Sequence, residues 1–358
     1  MTTAAFVGPD RYVQGTDVLE AAAEQFGRLD ADRALLVGGE TALSVVGGAL
    51  TEALETGGTE VERRSGVDSC TESRVTQLRN RITGTGADID LVVGVGGGTA
   101  LDAAKAAASR SQTEYAAVPT VPSTNAAASS VAVLYDEHGR TAGTELRDRP
   151  PELVLADTSV LADAPADYLR HGLGDALAAR FEAAACAEAD GRTVHGTAPT
   201  DVGRSIARRV HGVIVERGTE ALADAERGEP TVAVGSAVEA ILLGSALGFE
   251  NGGLAGAHAL EVGFRVAGVT EPPHGLLVGF CTLAQLHVED APAAASVANL
   301  LDDLGLDVTL DELNVDEETL RRIGSAACAE TTSMGNEPLD VTPEMAVEAL
   351  RAASADLA

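Results

Sequence analysis

The chain has 358 residues, 45% of them hydrophobic but only 3% aromatic and none Trp; a core of Ala, Val and Leu is expected, and the length favours two domains. Acidic residues outnumber basic ones 55 to 25, and a net charge of −30 argues against nucleic acid or an anionic membrane surface as partner. The acidic residues are scattered, as in ERGTEALADAERGE, and Lys105 is the only lysine. That pattern reads as adaptation to a salt-rich cytoplasm, where a Debye length of about 3 Å at 1 M screens self-repulsion.

The chain opens on MTTAAFVGPDRYVQG, without a charged-then-apolar signal pattern. The first clear strand is 33–38 (RALLVG), followed by a helical stretch through residue 54. A short strand at 59–63, a helix at 72–83 and a strand at 90–95 come next, then a glycine run and a helix through 108. Residues 115–118 form a further strand and lead into the loop PTVPSTNAAASS. Strands at 131–135 and about 141–145 flank a turn-like DEHGR, a hairpin signal, and 152–156 closes this half. Alternating β and α elements predict an α/β, Rossmann-like domain with a mostly parallel sheet over residues 1–160.

From there Ala, Leu and Glu dominate, which favours helix. Helices are predicted at 167–189, 200–221, 231–247, around 255–265, and at 276–288, 292–304, 319–330 and 342–353, giving an all-helical domain over 161–358. No apolar run is read as approaching the roughly 18–20 residues of a membrane span, and the reading is a soluble, cytoplasmic protein. Cys70, Cys186, Cys281 and Cys328 lie far apart with no CxxC spacing, as small buried thiols in a reducing compartment would.

Two sets of residues carry chemistry. LVVGVGGGTALDAAK (91–105) is a strand, a turn bare of side chains and a helix start. Such a turn is either a plain tight turn or a pyrophosphate site, because unsatisfied N–H groups and the positive dipole end of a helix attract anions. In the helical half, Asp175 lies in HGLGDALAARFEA near the start of a helix, His258 in GFENGGLAGAHALEVGF and His274 in EPPHGLLVGF. Taken one at a time they suit a helix-end charge, a core histidine and a turn residue; taken together they are a carboxylate and two imidazoles.

The run GDALAARFEA, GFENGGLAGAHALEVG and PHGLLVGF, with GVGGGTALDAAK and AVPTVPSTNAAASSVAVLYDEHG before it in the same order, resembles the glycerol dehydrogenase branch of the iron-containing alcohol dehydrogenase superfamily. The resemblance covers most of residues 30–290. It implies that Asp175, His258 and His274 bind one divalent metal. It also implies that Gly97 and Gly98, with the helix behind them, hold the pyrophosphate of NAD, that Thr99 and Asp102 belong to the cofactor-binding set, and that Thr120, Ser129, Val131 and Tyr135 lie toward the nicotinamide. Iron-type relatives add a histidine one turn after the aspartate; here that residue is Ala179, which favours zinc over iron, although two His and one carboxylate also suit ferrous iron. His171 and His287 are left as structural or surface residues.

The activity so implied is NAD-dependent, metal-assisted oxidation of a polyol by hydride transfer, most simply glycerol to dihydroxyacetone, in a homo-oligomer. Two departures qualify the substrate and cofactor. Glycerol dehydrogenases carry an STD loop that orients the polyol, whereas this chain has Ser123-Thr124-Asn125; loss of the charge leaves a 2-hydroxy or 2-oxo acid as the alternative substrate. The carboxylate expected near Gly39 to clasp the adenosine ribose is missing unless Glu40 serves, so NADP stays open. A dehydroquinate-synthase-like lyase, which shares the fold, and a glycerol-1-phosphate dehydrogenase are the less favoured readings, because they need a Lys/Arg cluster for phosphate, and this chain has one lysine and no such cluster near His258 or His274.

Overall fold

The computed structural model describes residues 3–86 and 88–358. The chain divides into two compact units: Gly8–Ala166 with Asp224–Leu243, and Met1–Val7 with Asp167–Ala223 and Gly244–Ala358. The sequence pattern had put the change near residue 160. The chain passes into the helical unit at 166–167, then returns for twenty residues that carry no α/β signature.

In the first unit the strands are β1 (Tyr12–Gly15), β2 (Arg33–Gly38), β3 (Glu60–Arg64), β4 (Leu91–Gly96), β5 (Glu114–Pro119), β6 (Val131–Tyr135), β7 (Thr141–Leu146) and β8 (Leu153–Asp157). Helices α1 (Ala22–Phe26), α2 (Glu40–Thr56), α3 (Glu72–Ile82) and α4 (Gly98–Ser111) connect strands, and α5 (Thr158–Asp163) follows β8. Six strands form one all-parallel sheet in the order β1-β8-β5-β4-β2-β3, with Leu36 opposite Val93 and Val93 opposite Ala116; β6 and β7 form the hairpin. β4 and β8 are buried at every position because helices cover both faces, which is why they read as unbroken apolar runs. The edge strand β3 is EVERR, with charges that discourage a further strand from adding. β1 went unread because four residues with no alternation become a strand only by pairing with β8.

The remaining helices are α6 (Ala166–Glu188), α7 (Asp201–Ala225), α8 (Val232–Glu239), α9 (Ser245–Gly252), α10 (Gly256–Val266), α11 (His274–Val288), α12 (Ala294–Asp303), α13 (Glu317–Ala327) and α14 (Pro343–Asp356). Phe264 of α10 meets Phe280 of α11 edge-on at 6.1 Å, at the centre of the helical packing. The expectation that no apolar run reaches span length is corrected: Val232–Gly252 is long and apolar enough, though most of it is buried. Near its end Glu250 meets His195 at 3.0 Å and Asn251 bonds both backbone groups of Val7, contacts of a core helix. Cys70, Cys186 and Cys281 are buried free thiols, and Cys328 is half-buried.

Candidate metal and dinucleotide sites

The crossing of α6 with the start of α11 sets the geometry of the carboxylate–imidazole cluster. A Cβ on Gly275 would lie 2.5 Å from the carbonyl carbon of His171 and closer still to its oxygen. The two backbones touch, and only glycine permits it. Asp175 is in the middle of α6 rather than near its start, and His274 is the first residue of α11 rather than a turn residue. His258 enters from the first turn of α10.

Asp175 is buried, and its Oδ1 has no hydrogen-bond donor of good geometry. It lies 3.5 Å from His258 Nε2 and 3.3 Å from His274 Nε2, and the three ligand atoms fall within 4.8 Å of one another. A tetrahedral ion with bonds of about 2.0–2.1 Å separates its ligands by roughly 3.4 Å. An orphaned carboxylate oxygen at that distance from two imidazole nitrogens fits a divalent cation with one position left over. Ala179, one turn on, is buried in a seam with Ala183 and Ala207, so α6 brings no further donor there.

Each imidazole is oriented by a second carboxylate that the sequence reading missed. His258 Nδ1 is 2.6 Å from Glu182 Oε2, and His274 Nδ1 is 3.0 Å from Glu261 Oε1, which also accepts from Arg265 Nε at 2.6 Å. A carboxylate on Nδ1 fixes the proton there and turns the Nε2 lone pair toward the cluster. Spacing carried a weak signal: Glu182 is two helical turns after Asp175, and Glu261 one turn after His258.

The charges reinforce one another. Burial alone would raise Asp175, but the two imidazoles hold its carboxyl well below the usual range. Burial would likewise raise Glu261, yet His274 and Arg265 hold it down at about 2. Burial opposes charge on His274 too; Glu261 and Asp175 overcome it and carry the imidazole up to about 9. His258 is raised well above its ordinary value, with Glu182 the larger favourable influence. The pocket thus binds positive charge, whether protons or a metal.

In the α/β unit the connections leave β2 and β4 in opposite directions, so the sheet's switch point lies at their carboxyl ends. Gly39 there starts α2, followed by an exposed Glu40, and Gly97 starts α4. The residue before α4, Gly97, has no side chain to cap the helix, and the N–H groups of Gly98 and Thr99 head it. A Cβ on Gly98 would lie 3.0 Å from Thr124 Oγ1, so the 120–125 loop packs onto the glycine turn, and Thr120 N donates to Gly96 O. Asn125 opens the short helical turn Asn125–Ala127 on that loop.

Lys105 does not face the turn. Its buried ammonium donates to Asp102 Oδ1 at 2.9 Å and Val131 O at 2.6 Å, while Asp102 Oδ2 accepts from Val133 N. These bonds tie β6 along α4, and Tyr135 at the end of that strand donates its N–H to Cys70 O at 2.9 Å. Ser129 is buried, and its Oγ accepts from Val131 N. The structure therefore brings Gly97, Gly98, Thr99 and Thr120 together at the glycine turn and holds Val131, with Ser129 bonded to it, along α4, while Tyr135 meets Cys70 and both oxygens of Asp102 are engaged in the tie.

The model of the iron-containing alcohol dehydrogenases matches residues 13–165. A glycolaldehyde reductase of Halobacterium salinarum is 36% identical over 97% of this chain and 96% of its own. The chain belongs to the iron-containing alcohol dehydrogenase family. A glycerol dehydrogenase of Escherichia coli is 35% identical over 96% of this chain and 94% of its own. The crystal structure of a probable glycerol dehydrogenase from Sinorhizobium meliloti superposes with a TM-score of 0.90 at 30% identity, covering 99% of both chains. Family membership identifies the protein as an alcohol dehydrogenase.

Proposed function

We propose that the protein oxidises the secondary hydroxyl of a small polyol, glycerol first, in an NAD-dependent and metal-assisted reaction. The observation that carries this is the Asp175–His258–His274 cluster, with ligand separations of 3.3 and 3.5 Å and a carboxylate behind each imidazole. Asp175, His258 and His274 hold the divalent ion; with Ala179 offering no donor we favour zinc. When bound, the ion supplies Lewis acidity at the alcohol oxygen, and NAD supplies the hydride acceptor. Glu182 and Glu261 keep the Nδ1 protons in place so that both Nε2 atoms act as ligands. Gly97, Gly98 and Thr99 receive the pyrophosphate at the start of α4, and Thr120, Ser129, Val131 and Tyr135 line the nicotinamide end. Asp102 with Lys105 holds β6 in position for them. We place the protein in a salt-rich cytoplasm as a homo-oligomer.

Asn125 supports a second reading. A neutral amide where the polyol branch has aspartate repels an anionic substrate less, which admits 2-hydroxy acids. The test is NAD⁺ reduction in molar KCl after EDTA treatment and zinc restoration, with glycerol, 1,2-propanediol and a panel of 2-hydroxy acids, and glycolaldehyde reduction assayed in reverse. Zinc-restored turnover of glycerol or the diol, abolished by Asp175→Ala, is expected. Turnover confined to hydroxy acids would overturn the polyol reading and make Asn125 the specificity residue.

A further inference from the structure

Every N–H at the start of α10 ends on a side chain. Those of Ala255 and His258 donate to Glu182 Oε1 at 2.9 and 3.0 Å, that of Gly256 to Glu337 Oε1 at 2.7 Å and that of Ala257 to Gln285 Oε1 at 2.9 Å. Glu337 closes a short segment, 333–337, that grips the residues leading into the helix. Asn336 Nδ2 donates to Leu254 O at 2.7 Å and Ser333 Oγ to Ala255 O at 2.6 Å, so three successive backbone positions ahead of His258 are held. Asn336 is itself anchored on both backbone groups of Arg192.

The last residue of this strap is in an unusual state. Glu337 is only 5% exposed, and its Oε2 is buried with no donor. Its neighbour is the carboxyl of Glu289, at the end of α11, whose Oε1 accepts from Gln285 Nε2 at 2.7 Å. The other charged group facing Glu337 is Glu182, and Glu289 faces Glu182 and Glu188, all on α6. Glu337 on the Gly256 N–H and Glu289 on the Gln285 amide, which itself takes the next N–H of the helix, are thereby brought side by side. Ionised carboxylates only accept hydrogen bonds, so two ionised neighbours repel and leave Glu337 Oε2 without a donor, and one proton between them supplies it.

We propose that Glu337 and Glu289 share one proton, and that this acid pair latches the 333–337 strap onto α10, making Glu337 a positioning residue for His258. Burial, and then Glu289, push Glu337 up to about 8, in agreement with a closed latch at neutral pH. Above that range the pair ionises, like charges repel, and the hold on Gly256 loosens. The consequence for metal binding rests on the reading of His258 as a ligand; the latch belongs to the metal-free chain as well.

The test measures amide-exchange protection across 254–258, corrected for intrinsic rates, in the EDTA-treated full chain below and above about pH 8. Zinc affinity is measured alongside by chelator competition. Wild type is expected to lose protection across that range, because the hydrogen bond that holds the Gly256 N–H opens more often once the pair is ionised. Glu337→Gln is expected to hold it, because an amide donates permanently to Glu289 while its oxygen still accepts from Gly256. Glu337→Ala should be unprotected on both sides and bind zinc about tenfold more weakly, with Glu337→Gln close to wild type at neutral pH. Glu289→Gln supplies the donor from the opposite side and should give the same flat profile, even if Glu337→Ala does not fold. Matching pH profiles for wild type and Glu337→Gln would overturn the latch. Absence of zinc binding in wild type would defeat the metal reading while leaving the exchange result to decide the latch.

Discussion

Gly275→Ala tests the backbone contact that brings His274 to Asp175. The added methyl would lie 2.5 Å from the carbonyl carbon of His171, whereas non-bonded carbons rest roughly 3.5–4.0 Å apart. The start of α11 must therefore move away from α6 by at least about 1 Å. Overpacking of this kind costs about 1–3 kcal/mol, outweighing the roughly 0.5–1 kcal/mol that Gly→Ala gains in an unobstructed helix. The same movement opens the 3.3 Å separation between Asp175 Oδ1 and His274 Nε2 beyond what one tetrahedral ion spans. Zinc affinity should fall by at least about tenfold, and turnover by about a hundredfold, the usual cost of a 1 Å misplacement. Urea denaturation and chelator competition measure the two effects. Gly48→Ala is the control: it is exposed on α2 with nothing within 4 Å of a Cβ, and should be neutral or stabilising. A Gly275→Ala protein with native urea midpoint and native zinc affinity would refute the argument that this contact sets the site.

Three further outcomes follow from the same geometry. Glu182→Ala frees His258 Nδ1 and uncaps Ala255 and His258, and should weaken zinc by about 10–100-fold in equilibrium binding, with Asp175 and both imidazoles intact. The folded-state value of His274, about 9, lies above its ordinary 6.5, so its contribution to metal-free stability is complete below about 6.5 and is lost as pH rises through about 9. Zinc requires neutral imidazoles, so its apparent affinity should climb over that window while the melting temperature of the metal-free protein falls; a pH-independent zinc affinity would contradict the proton–metal competition. Finally, with 55 acidic against 25 basic residues, thermal stability should rise steeply from dilute buffer to molar KCl, and equal stability in both would contradict the salt-adapted reading.

The alternation of apolar strands and helices, and the glycines after Val95, were enough to read a parallel sheet with a helix start at the end of β4, because burial on both faces and backbone approach impose those residue types locally. The three residues of the cluster were legible through the family resemblance of the motifs around them; taken one at a time they suited a helix-end charge, a core histidine and a turn residue. The role of Lys105 was not legible in the sequence, and only the fold shows its ammonium buried against Asp102 and Val131 O. Glu182, Glu261, Gln285 and Glu337 looked like ordinary polar helix and loop residues, four among many in so acidic a chain. What distinguishes them is burial at the start of α10, and that depends on how α6, α10, α11 and the 333–337 strap converge. Tertiary structure alone decided those contacts, along with the return of residues 224–243 to the α/β unit, because side chains 28 to 81 residues apart leave no periodicity in the sequence that joins them.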